Sequence, residues 1–429
     1  MATRSEGRMV RLAALGFAAS ATLARSSRVP LADELPPVVL VPGLTGSAME
    51  ARLTGASMPH FWCQTDSHGE WVKAWLNPVD LLPEEKDCLV ARLVLTYNAT
   101  DDSYANLPGV ELRASGFGGQ GNDVLYRYEF GELVAHLRTL GYVLGQNLYR
   151  APYDWRLAGD AHERQSHGVG GFYEQLKGQL EEAVQRSGRP AVLLSHSLGC
   201  PTSLYFLHNF VSDDWKAAHL HSWVAFAGPW LGGATQASAY LGGWNLGLPS
   251  WLIPHDYVKP VQVNATSGVW ISPHPLAFGN RTIVVTPSRN YTAADVPALV
   301  SIVGEGSWGS QTRALFDKKS LDLGLIQRPP SQVHMLNWYS TGVKTAERFE
   351  YANDLRKGFD DAPTTTIYGD GDGLVNLISL QQVEHVWPGG DKVETRAFPG
   401  VSHFGMLTDH TVLGALGDYL TGSRHPIYV

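Results

Sequence analysis

The strongest constraint on this chain lies near its middle, where Ala191-Val192-Leu193-Leu194 runs straight into Ser195-His196-Ser197-Leu198-Gly199-Cys200. Four apolar residues bounded by turn-formers read as a strand buried on both faces, and Leu204, Phe206 and Leu207 follow at helical spacing. A small-x-Ser-x-Gly turn between such elements forces the serine into a strained corner and leaves its hydroxyl exposed above the sheet. Small residues two before and two after it are needed because neighbouring backbone passes close by. Ser195 fills the first small position, where glycine is commoner. The helix behind the turn points its positive dipole end at any oxyanion that develops there. A bare Ser-x-Gly fits an ordinary strand–turn–helix with a surface serine equally well; the flanking strand and helix favour Ser197 as a nucleophile.

A hydroxyl becomes nucleophilic at neutral pH only beside a base, and the base needs a carboxylate to orient it. In α/β-hydrolases the chain order is serine, then acid, then histidine, so the search is confined to residues after 197. Tyr368-Gly369-Asp370-Gly371-Asp372-Gly373 follows a strand at Thr364–Tyr368, where the acid belongs, and offers two candidates. The pattern does not separate Asp370 from Asp372; the loser is a turn residue binding backbone. Sixteen histidines make any single one a weak choice, but His403 lies on the loop leaving the last strand, Val393–Phe398, just before the final helix. Upstream, Val38–Val41 reads as a buried strand ending in Pro42-Gly43-Leu44-Thr45-Gly46-Ser47. That turn is either a simple Gly/Pro turn or the source of an oxyanion-hole amide, one N–H near Leu44 and the other from Leu198.

Strands and helices alternate over most of the 429 residues, with helical patterns at about 130–140, 171–187, 376–384 and 405–421, which indicates an α/β fold on a mostly parallel sheet. Between 230 and 330 the rhythm is lost to Gly, Pro, Trp and Asn, and a structureless loop of that length is improbable, so the segment reads as an insertion or cap. Gly116-Phe117-Gly118-Gly119-Gln120-Gly121 fits G-x-G-x-x-G but has no βαβ unit around it, and Asp370–Gly373 lacks the rest of a calcium loop.

At the N-terminus, Arg4, Arg8 and Arg11 precede an apolar, Ala-rich stretch, the layout of a secretory signal over residues 1–30; a plastid or other transit peptide is the alternative. Four N-x-[ST] acceptors, Asn98, Asn264, Asn280 and Asn290, favour the secretory route. A net charge of −8 argues against nucleic acid as a partner. Three cysteines, Cys63, Cys88 and Cys200, make no zinc site.

Taken together, these residues resemble the lecithin:cholesterol acyltransferase family, including its lysosomal phospholipase A2 branch. The likeness runs through Val41–Ser47 with Glu50-Ala51-Arg52-Leu53, Trp75-Leu76-Asn77 to Cys88, Tyr97-Asn98, Pro108-Gly109-Val110, Ala151-Pro152-Tyr153-Asp154-Trp155-Arg156, His196–Cys200, Gly228-Pro229-Trp230 and Gly371–Asn376. It implies an α/β-hydrolase core over 31–429, a membrane-binding subdomain at 58–100 closed by a Cys63–Cys88 disulfide with Cys200 free, and a mobile lid within 230–330. It selects Asp372 as the acid. It implies cleavage of a phospholipid acyl ester through an acyl-serine, with transfer to water or to a sterol or other lipophilic alcohol, with no metal or cofactor. The chain departs from the family at Leu44, where the lysosomal branch carries an acidic residue, and at Leu380-Gln381-Gln382, where animal members carry a second disulfide.

The tryptophans Trp62, Trp71 and Trp75 in the disulfide-closed segment, with Trp244 and Trp251 in the lid, are candidates for contact with a membrane or lipoprotein-like surface. A buried core position is the competing reading for each. The expected protein is a monomer of the secretory pathway, secreted or in an acidic lumen or vacuole. The competing functions are a soluble esterase or triacylglycerol lipase, and a lipid-binding protein whose chemistry is dead.

Overall fold

A computed structural model describes residues 35–77, 79, 82–119, 124–164, 171–245, 254–387 and 392–422. The leader expected over 1–30 and Trp251 lie outside them. Six parallel strands form the central sheet, in the order Val393–Pro399, Met335–Thr341, Leu220–Phe226, Ala191–His196, Val38–Val41 and Leu148–Arg150. Period-two alternation divides its side chains between two cores: Val39, Val41 and Leu193 face one, Val38, Leu40, Val192 and Leu194 the other. Both faces being covered, Val38–Val41 and the Ala191–Leu194 part of its neighbour read as unbroken apolar runs. The helix Phe172–Ser187 turns Leu176, Leu180 and Ala183 inward and stops at Gly188, whose φ of 67° is the left-handed cap that glycine adopts without strain.

Two smaller sheets sit around this core. Met49–Leu53 pairs antiparallel with Val72–Trp75 and with Val110–Ala114, and the Cys63–Cys88 disulfide closes the segment between them. The strand ahead of the Gly116–Gly121 run therefore lies in an antiparallel sheet, outside any βαβ unit.

The other small sheet changes the reading of the chain's second half. The strand expected at 364–368 forms as Thr365–Gly371, but it pairs antiparallel with Val343–Glu350, which in turn joins Thr282–Val285 and, through it, Asn290–Thr292. The chain leaves the central sheet at Thr341, turns at Gly342 with φ 79°, and returns with Asp372 at the sheet's C-terminal end. The α/β rhythm thus resumes at Met335–Thr341, an element the sequence pattern did not single out, and the strand leading to Asp372 belongs to the second sheet.

Candidate active site

Ser197 leaves its strand with φ 52°, a left-handed corner that a non-glycine residue holds only under strain. Its N–H donates to Phe226 O (2.9 Å), tying the corner to the next strand. The glycine two residues on is sterically required, since a Cβ on Gly199 would lie 2.6 Å from Pro42 O and 2.7 Å from Val41 O. Ser195 keeps a hydroxyl where glycine is commoner because the hydroxyl is used: it lies 2.7 Å from Ser203 Oγ and accepts from Trp223 Nε1 (3.1 Å).

Asp372 and His403 meet at the C-terminal end of the sheet. His403 Nδ1 is 2.6 Å from Asp372 Oδ2, and the His403 N–H donates to Asp372 O (2.7 Å). Asp372 is fully buried, and its other oxygen accepts from Leu374 N (2.9 Å) and Val375 N (2.7 Å). Asp370 is exposed and accepts from Gly342 N, a turn-holding role. Ser197 and His403 line one cavity, open to solvent, whose walls include Leu44, Trp244, Ile271, Leu374 and Phe404.

The turn after the first strand forms the cavity's other lip. Tyr153 donates its hydroxyl to Pro42 O (3.0 Å) and its N–H to Ser47 Oγ (3.0 Å), Trp75 Nε1 donates to Thr45 O (2.9 Å), and Gly43 N–H donates to Glu129 Oε1 (2.7 Å). Among the described residues, the N–H groups of Leu44 and Leu198 have no acceptor. Glu129 is a residue that sequence reasoning missed. It lies on the helix Val124–Thr139, buried, and also meets His196 Nδ1 at 2.8 Å. No motif marks it, because its partners are 86 and 67 residues away.

Several expectations need correction. Trp75 is only 3% exposed, packed edge-on against Trp155 beneath the turn, and is not a surface residue. Trp71 is half-buried and flanked by Arg52 and Arg113, with guanidinium carbons 4.9 and 4.2 Å from its ring. Trp244 is half-buried in the cavity wall. Of the proposed contacts, Trp62 is open to solvent, stacked on His60, and beside it the unflagged Phe61 is 96% exposed. Asn264 is buried with its Nδ2 donating to Pro260 O, so it is closed to a glycosyltransferase, whereas Asn98, Asn280 and Asn290 are exposed. Cys63 and Cys88 are bonded as expected. Cys200 is free and buried; burial pushes its thiol well above the ordinary value, which leaves it a neutral packing residue.

The family model "Lecithin:cholesterol acyltransferase" matches residues 71–301. A bovine (Bos taurus) protein named "Lysosomal phospholipase A and acyltransferase" is 32% identical over 402 residues, covering 91% of this chain and 93% of that protein. The "Phosphatidylcholine-sterol acyltransferase" of Gallus gallus is 29% identical over 398 residues, with 90% of each covered. Among solved structures, a chain in the crystal structure of the Tle4-Tli4 complex superposes with a TM-score of 0.52 at 10% identity, covering 91% of this chain and 99% of that one. That likeness is one of fold.

Proposed function

This chain belongs to the lecithin:cholesterol acyltransferase family, and on that premise we propose that it is a phospholipid acyl hydrolase and O-acyltransferase with Ser197, His403 and Asp372 as its catalytic triad. The observation that carries the reading is the 2.6 Å contact of His403 Nδ1 with a buried Asp372, on a cavity shared with a positive-φ serine. Asp372 holds the Nδ1–H tautomer and leaves Nε2 free to take the Ser197 proton. Among the described residues no hydrogen bond joins Ser197 Oγ to His403, and such a contact forms or tightens once the ester is bound. Oγ attacks the ester carbonyl, and the oxyanion is received by the unpaired N–H groups of Leu44 and Leu198. Collapse breaks the C–O bond, and His403 returns the proton to the departing lysophospholipid hydroxyl. Water or a lipophilic alcohol, sterol included, then attacks the acyl-serine by the same steps in reverse. The apolar walls at Leu44, Trp244, Ile271 and Leu374 hold the acyl chain.

Substrate is drawn from a lipid surface, and the disulfide-closed segment 58–100, with Phe61 and Trp62 at its tip, serves as the contact. A Cys63–Cys88 bond suits the secretory pathway or a lysosome-like lumen, where disulfides persist. No helix among the described residues is long and apolar enough to cross a membrane, and the enzyme works as a monomer docked on the bilayer.

Mass spectrometry of products, from vesicles of one defined phospholipid containing a long-chain alcohol or sterol, tests the proposal. Wild type is expected to yield lysophospholipid with free fatty acid and acyl ester. Ser197→Ala is expected to lose at least ~10⁵-fold in turnover while still binding the vesicles. Cleavage of soluble esters with no phospholipid product would establish a plain esterase instead.

A further inference from the structure

We propose that Glu129 is a positioning residue that couples the oxyanion turn to the base loop through His196. The inference rests on the acyl-transfer reading above. Four facts carry it. Glu129 Oε1 accepts from the N–H of Gly43, the residue immediately before Leu44 and its oxyanion N–H. The same oxygen lies 2.8 Å from His196 Nδ1, and His196 directly precedes Ser197. On the far side of that ring, His196 Nε2 lies 3.2 Å from the carbonyl oxygen of His403. Both side chains are shut off from solvent, His196 with 1% and Glu129 with 4% of its side chain exposed. One buried couple therefore touches the oxyanion turn, the nucleophile's own strand and the loop bearing the base.

Hydrogen-bond chemistry restricts the protons of this couple. The His403 carbonyl only accepts, so His196 Nε2 carries a hydrogen. The short Nδ1–Oε1 contact then holds one more proton, on one atom or the other. Either way imidazole and carboxyl together carry no net charge. That neutrality matters beside an oxyanion, since a bare buried carboxylate at this place would oppose the negative charge the turn exists to receive. The gain from the couple is geometric: it fixes the tilt of the Gly43–Leu44 peptide relative to Ser197 and His403.

The packing allows the carboxyl little other room. A Cβ on Gly46 would lie 1.4 Å from Glu129 Oε2, and a Cβ on Gly43 would lie 2.9 Å from Ser197 Cβ. The glycines of the Pro42–Ser47 turn thus make space for the carboxyl as well as for the chain's bend. Among the described residues Oε2 has no hydrogen-bond partner, so the whole polar function of Glu129 falls on the oxygen shared by Gly43 and His196. A buried carboxyl with one oxygen unpaired costs stability, and its placement against the oxyanion turn supplies a reason for it to be there.

The test compares reach with charge. Glu129→Asp keeps the carboxylate but withdraws it by one methylene; Glu129→Gln keeps the reach and, with two lone pairs on its amide oxygen, accepts from Gly43 N–H and from a His196 protonated on both nitrogens, so it alters the couple's charge while keeping its geometry. Each is assayed on phospholipid vesicles and on a soluble p-nitrophenyl ester, with Tm measured alongside. The expected result is a kcat for E129D reduced about 100-fold on both substrates, the scale of a misplaced oxyanion donor. KM should stay within about threefold and Tm within a few degrees. E129Q should retain at least about ten times more kcat than E129D, and the rate of Ser197 labelling by a fluorophosphonate should follow the same order. A wild-type kcat in E129D overturns the inference, as do losses in E129Q as deep as those in E129D, or losses that track Tm. A wild type active on the soluble ester and inert on phospholipid overturns the lipid reading, while the Asp-to-Gln comparison still decides the role of Glu129.

Discussion

At the floor of the crevice, Glu129, His196, Asp372 and His403 bury four titratable side chains, whereas at the tip of the disulfide-closed segment Phe61 and Trp62 hold two aromatic rings in solvent. The two regions reverse the ordinary distribution of side chains in opposite senses. In the crevice the reversal is compensated inside the molecule, since all four groups make at least one hydrogen bond within it. At the tip it is compensated only in part among the described residues. The indole N–H of Trp62 reaches Glu84 O, His60 stacks on its ring and pairs with Asp87, but the outer face of Phe61 has no cover. A departure from the burial rule that is satisfied internally points to chemistry carried out by the protein. One left unsatisfied points to something outside it, and the proposal places a lipid surface there.

The comparison predicts that damage to the crevice affects every substrate, whereas damage to the tip affects only substrates presented on a surface. Among the variants that set the two regions apart, the largest effect is expected from Asp372→Asn, which keeps the shape but presents the wrong partner to His403. Its kcat should fall roughly 10³–10⁴-fold on vesicles and on a soluble ester alike, with vesicle binding unchanged. A mutant that lost vesicle turnover alone would break the distinction between the regions. Next comes the double variant Phe61→Ser/Trp62→Ser. Removing two rings that partition into the headgroup layer should weaken vesicle binding and turnover by roughly 10–100-fold, measured by liposome flotation, and leave the soluble ester within twofold.

The smallest effect concerns the seam between the regions. Arg156, buried, donates to Asp154, to Leu93 O (2.8 Å) and to Asn106 Oδ1 (3.0 Å), and so ties the sheet's edge to the disulfide-closed segment. Burial tends to raise the Asp154 carboxyl, but the charge and hydrogen bonds of Arg156 outweigh it and hold the group below the usual carboxylate value. A carboxyl depressed in the folded state stabilises above its unfolded value, about 3.9, and loses that contribution as pH falls through the folded one. Asp154→Asn should therefore lower Tm by a few degrees at pH 7. The gap from wild type should close as calorimetry is repeated below about pH 4. A gap that persisted there would mean the seam is held by shape and not by charge.

How much of this was legible beforehand depended on the span of each signal. The Ser197 corner is written within a dozen residues, because a buried strand, a small-x-Ser-x-Gly turn and a helix must be contiguous to make it. His403 was found by order along the chain, as the loop after the last strand. Spacing alone did not separate the two aspartates of the acid loop, which lie two residues apart on one turn; the family resemblance selected Asp372, and burial divides them the same way, one packed against His403 and the other in solvent. Exposure was the least legible property. Trp75 and Trp62 share a segment and a residue type, yet one packs on Trp155 and the other stands in solvent.

By itself the chain's sequence determined the α/β class and pointed to the strained serine turn and the histidine proposed as nucleophile and base, because each is read from local sterics and from chain order. Tertiary structure alone decided that Asp372, the proposed acid, arrives from the second sheet, that Asn264 is shut away, and that Glu129 stands beneath the Pro42–Ser47 turn. These depend on contacts between segments tens of residues apart, and such pairings leave no period or spacing in a linear sequence. They exist only once the sheet has brought its strand ends together.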